Sequence, residues 1–514
     1  MFKGVLAPPV EGVSKEPREA VEAELRSRAH ALWCLAAFMS AMPDVIAAPV
    51  IKPILATLLP SNCSLLAACR ERAGTLGTSP TFRAAFVLFR ARLYGLLSAL
   101  PSSALSAKVL NAVMPMVVAD IVDPASTSSA CCSCLESMLD PADAPLAAAA
   151  AGDETLGGPG GGASGANGDG FETGASADAE AACDWLAELR GGGAASAGVL
   201  ALNAAVELFS TVFRLQTTDV RQQLLGHLAT AAAKAVKESR EPQRFTLGGG
   251  ADAGRAERGG ALTNACAALL GSLQRLAAKP SRSALRAELI EALLGVLAPC
   301  LNEGGVVVRR GAAQCVGLLG AMLGPPFGDR FAKAAAARFA DPKAREEAKA
   351  GHALALGFLL RAPAGVPDGG LAQGLGALQD LAAGASAHAA EWALHAIGAV
   401  VGAAPPADGR KLVSGCLGCA SSVLLSEPPP SARASQAIGR LAAALASALS
   451  RATLEAPGSG GKAAALLTRC AVLSAAACGA APPGAVPLPA LRVEALYFAR
   501  QMLVRPLALQ PRAA

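Results

Sequence analysis

The chain has 514 residues, 53% of them apolar but only 4% aromatic, and its 45 basic and 40 acidic side chains leave a formal charge of +5. Charge this thin, without a long run of one sign, supplies neither a nucleic-acid footprint nor a polybasic membrane patch. An apolar fraction built mainly of Ala, Leu and Val, with two Tyr and three Trp, argues against a large β-sheet and for helices over a length greater than one core fills.

Taken in order, residues 1–14 read as a disordered N-terminus and 15–150 as helical repeats. Helices are expected over 15–42, over 44–59 with breaks at Pro49 and Pro53, over 61–73, and over 81–100, where Ser79-Pro80 is a start signal. Two more follow at 104–122, kinked at Pro115, and at 127–139. The Gly-rich stretch 151–177 buries too little apolar surface to offset its chain entropy and reads as a disordered insertion. Residues 178–246 return to helical repeats (178–189, 194–213, 218–237), and 247–260 reads as a flexible loop. From 261 to 514 helices come regularly, at 261–278, 282–301, 305–323, 329–340, 344–361, 370–383, 387–403, 409–425, 431–449, 462–479 and 488–503.

Short breaks holding Pro or Gly join these helices into units of about 35–45 residues, the period of HEAT and armadillo repeats. Within VVVRRGAAQCVGLLGAML (306–323), Arg309 and Arg310 follow an apolar start and precede small residues and leucines. That is the order of the second helix of a HEAT-type pair, where small residues let helices approach and leucines fill the groove. The fold class is therefore all-α, an α-solenoid of HEAT/armadillo-type helix pairs carrying a disordered Gly-rich insertion.

Chemistry finds little support. GSGGKAAAL (458–466) lacks the first glycine and the hydroxyl of a phosphate loop, having Ala456 and Ala463 in their places. Cys416 and Cys419 share a helix face and Cys131, Cys132 and Cys134 lie far away in sequence, so packed thiols are favoured over a zinc site. His388, Glu391 and His395 fall on one helical face at i, i+3 and i+7, but without a HExxH pattern they read as polar residues turned to solvent beside Trp392 and Leu394. No Gly-x-Ser-x-Gly elbow occurs. No catalytic, cofactor-binding or metal-binding residue is assigned, and an enzyme is not expected. Cys34, Cys266, Cys315 and Cys470 lie inside helical patterns and read as buried, reduced thiols. The N-terminus lacks a signal-like apolar region, and the longest uncharged run, Cys470–Leu491, holds four prolines, so no spanning helix is expected there.

KAGHALALGFLLR (349–361) is a Gly-His-x-Leu-Ala-Leu-Gly run closing on a basic residue. It is followed by AEWALHAIG (390–398) and by ASQAIGRLAA (434–443). In this order, after RRGAAQC (309–315), the segments resemble the HEAT repeat-containing protein 5 family, which includes the plant protein SWEETIE. The resemblance is clearest over about 260–450 and thinner over 28–123. Family members are much longer, so it implies that this chain is a fragment or short form. It further implies a cytoplasmic scaffold without cofactors, peripheral at the trans-Golgi network and endosomes. There it would bind the clathrin adaptor complex or its accessory proteins and serve vesicle traffic. The positions that match the family are Arg309, Arg310, Gly351, His352, Trp392, His395, Gly439 and Arg440, all read as packing positions. The alternatives are an importin-like carrier, which needs arrays of groove tryptophans, and a regulatory scaffold of a phosphatase or kinase complex.

Overall fold

A computed structural model describes residues 17–41, 51–72, 79–100, 105, 107–122, 197–238, 251–278, 285–302, 305–361, 370–384 and 387–403. The helices expected at 127–139, 178–189 and beyond 404, the segments 1–14 and 151–177, and the residues Gly439 and Arg440 lie outside these. Among the described residues every regular element is an α-helix. In chain order they are α1 (Arg18–Ala41), α2 (Ile51–Glu71), α3 (Pro80–Ala99), α4 (Ala107–Val122), α5 (Ala197–Leu215), α6 (Thr218–Glu238) and α7 (Ala251–Ala277). Then come α8 (Ala287–Leu301), α9 (Val306–Leu323), α10 (Pro325–Ala340), α11 (Glu346–Arg361), α12 (Gly370–Gly384) and α13 (Ala387–Ala403).

The helices fall into two compact units, one holding α1–α7 and α8 as far as Val296, the other running from Leu297 through α13. In the first unit the main packing is α1 on α3, α3 on α5 and α5 on α7, with α2 on α4 and α4 on α6 beside it. In the second, α9 packs on α11 and α11 on α13, while α10 and α12 meet each other and flank that row. Within each unit the packing thus passes from one helix to the next but one, which is how stacked helix pairs bury a face that one pair alone leaves open. The row continues from α3 to α5 although residues 123–196 separate α4 from α5 in the chain.

Sequence and structure differ in several places. Residues 251–260, expected as flexible loop, form the start of α7. The two helices expected on either side of Pro60 are one, α2, whose buried Leu58, Leu59, Leu65 and Leu66 outweigh the backbone hydrogen bond that proline removes. Cys34 is exposed, not buried, whereas Cys63, Cys69, Cys266, Cys300 and Cys315 are buried free thiols. Burial pushes the Cys63 and Cys69 thiols up to about 12, so both stay protonated near neutrality. Lastly, Gly198–Leu215 is long and apolar enough to cross a membrane. Here it is a core helix, with Leu202, Ala205, Leu208, Phe209, Val212 and Phe213 fully buried.

The second unit depends on close backbone approach. A Cβ on Gly351 of α11 would stand 1.9 Å from the Leu301 carbonyl oxygen, and one on Gly357 would stand 2.7 Å from the Ala396 Cβ of α13. The turn between α9 and α10 rests on Gly324, whose φ of 74° L-side chains rarely adopt and whose N–H donates to the Gly320 carbonyl at 2.9 Å.

Gly351→Val is expected to lower stability by about 1–3 kcal/mol or more in urea unfolding, because backbone cannot yield as a side-chain tip does. Gly376→Ala, on α12 with open space around its Cβ position, is expected to raise it by about 0.5–1 kcal/mol. Alkylation of the native protein with iodoacetamide, read by peptide mass spectrometry, is expected to modify Cys34 well before the five buried thiols.

Candidate functional site

The polar side chains of the second unit gather where α9, α11 and α13 begin. Arg309 and Arg310 stand in the first turns of α9 and are 1% and 2% exposed. A buried guanidinium needs compensation for lost water. Arg309 finds part of it in Trp392, over whose ring its guanidinium carbon sits at 5.0 Å. Its Nη1 also lies 3.4 Å from His388 Nε2. Trp392 is 2% exposed, with the His388 ring edge-on at 6.4 Å and the His395 ring tilted at 5.2 Å between centroids.

The face of α13 that carries His388, Glu391 and His395 therefore does not meet solvent. Glu391 is buried and so is His395, whose Nε2 lies 3.9 Å from Glu391 Oε1. The reason is tertiary: residues 389–397 are all buried, so α13 has no solvent-facing side there to receive its polar residues. The i, i+3, i+4, i+7 face formed by 388, 391, 392 and 395 turns to Arg309 instead.

Glu347 completes the group from the first turn of α11. Its carboxyl is held below the usual carboxylate range, first by its own backbone N–H, with burial opposing, and then by the charges of Arg345, His388 and Arg309. Arg345 Nε is 3.4 Å from its Oε2. Arg309 and His388 bring the first turns of α9 and α13 together at one end of the row. Helix N-termini carry partial positive charge, which an ionised Glu347 offsets.

The other positions that match the family act elsewhere. Gly351 admits the chain at Leu301. His352 stacks on Phe331 of α10 at 6.1 Å, and its Nδ1 donates to the Ala348 carbonyl oxygen at 2.7 Å, a role fixed because a carbonyl only accepts. Burial pushes the His352 imidazole below its ordinary 6.5; the Ala348 hydrogen bond opposes that and the Arg338 charge adds to it. The structure thus joins Arg309, Trp392 and His395 in one cluster and leaves Gly351 and His352 at separate joints. Among the described residues no three His, Cys, Asp or Glu side chains stand where they could hold a metal ion.

Sequence reasoning missed a second cluster, in the first unit. Asp120 of α4 is fully buried and accepts from Arg90 Nη1 at 2.7 Å, from the Tyr94 hydroxyl at 2.7 Å and from Arg70 Nη2. Arg90 also lies over the Phe86 ring at 4.6 Å. Burial, and then the Asp120 charge, raise the Tyr94 hydroxyl well above 10, so it remains a donor. One carboxylate thereby ties α2, α3 and α4. The signal for it was a lone acid in the otherwise apolar run of α4, since such a residue is seldom fully buried unless paired.

No family model matches the sequence, and no curated protein sequence matches it. Among solved structures, the chain is similar to the karyopherin Kap121p bound to the extreme C-terminus of the protein phosphatase Cdc14p. That match has a TM-score of 0.34 and 13% identity, over 97% of this chain and 55% of that one. It is similar also to importin beta, at a TM-score of 0.34 and 12% identity, over 96% of this chain and 54% of that one. The chain spans about half the length of either.

A double-mutant cycle of Arg309→Met and Trp392→Leu, followed by urea unfolding, is expected to give a coupling of about 1–2 kcal/mol, as for a desolvated cation–π pair. Asp120→Ala removes the carboxylate that Arg90, Arg70 and Tyr94 share and is expected to cost about 3–5 kcal/mol by the same measurement. For His352, whose pKa is lowered on folding, the associated stability is complete above about 6.5 and declines as pH falls toward the folded value. His352→Phe is expected to flatten that part of the acid limb in unfolding followed from pH 8 to 5.

Proposed function

We propose that this chain is a non-catalytic helical-repeat scaffold that binds protein partners in clathrin-adaptor-dependent traffic between endosomes and the trans-Golgi network. The observation that carries the scaffold part is the every-second-helix stacking within each unit. With it goes the use of charged and polar residues as joints between helices: Arg309 is spent on Trp392 and His388, and Asp120 on Arg90, Tyr94 and Arg70. Side chains committed in this way hold a framework together; they are not poised above a substrate. The traffic part rests on the resemblance over 260–450, in which Arg309, Gly351, Trp392 and His395 are matching positions that here set helix-to-helix geometry. On this reading the protein is cytoplasmic and reaches membranes through its partners.

Affinity capture of the full chain from cells, with brief crosslinking and quantitative mass spectrometry, tests the reading. Clathrin-adaptor subunits or their accessory proteins are expected above an unrelated helical-repeat control. Recovery of nuclear-transport cargo, or of a phosphatase or kinase catalytic subunit, without coat proteins would transfer the scaffold to that class of partner and reject the traffic role.

A further inference from the structure

We draw no further inference here: the strongest candidate, the exposed strip that Cys34 and Phe38 form one turn apart on α1, carries no proposal because nothing in the structure shows what covers it.

Discussion

Helix backbones must come closer than side chains with a Cβ allow, and the second unit is arranged around that requirement. Gly351 lies against the Leu301 carbonyl and Gly357 against Ala396, so α11 is pressed between the end of α8 and α13. Close approach brings many weak dispersion contacts into range at once. It also removes solvent from the flanks of α11 and α13, where 353–360 and 389–397 are buried without interruption. Polar residues on such helices have to find partners within the protein or be left at a cost of several kcal/mol each.

The two polar clusters answer that demand in different ways. In the first unit Asp120 draws two arginines and a tyrosine onto one buried carboxylate, joining three helices through charge-assisted hydrogen bonds. In the second, Arg309 lies over the Trp392 ring and beside the His388 imidazole, so an aromatic face takes part where the first cluster uses a carboxylate. Further clasps of the first kind recur along the rows. Arg28 of α1 reaches Ser61 of α2 at 2.9 Å, and Arg221 of α6 donates to the carbonyls of Phe213 and Arg214 at the end of α5, at 2.9 and 2.8 Å. The last of these serves carbonyls that a helix C-terminus leaves without intrahelical partners. Arginine suits the role because its planar fork reaches two acceptors while its stem packs as hydrocarbon.

For function, the consequence is a division of labour between interior and surface. Residues that looked most distinctive in the chain, the Arg309–Arg310 pair and the Trp392–His395 turn, are spent on internal joints. On the proposed scaffold reading, recognition falls to surface outside these joints, and the joints set how that surface is presented.

Local pattern determined the helices and their order. Ser79-Pro80 begins α3 at Pro80 as its spacing predicts, and α9, α11 and α13 fall within two residues of their expected bounds. Amphipathic spacing and start and stop residues act over a few turns, so they can be read from the chain directly. Local signals misled where tertiary packing overrode them: Pro60 did not divide α2, and glycine-rich 251–260 became helix. The direction of the polar face of α13 was decided only by the tertiary structure. Periodicity shows that His388, Glu391 and His395 share a face, but whether that face meets water depends on Arg309, 79 residues earlier in the chain. The same holds for Asp120, whose three partners come from two other helices. A side chain's helical neighbours follow from its own sequence, whereas its solvent follows from every helix packed around it.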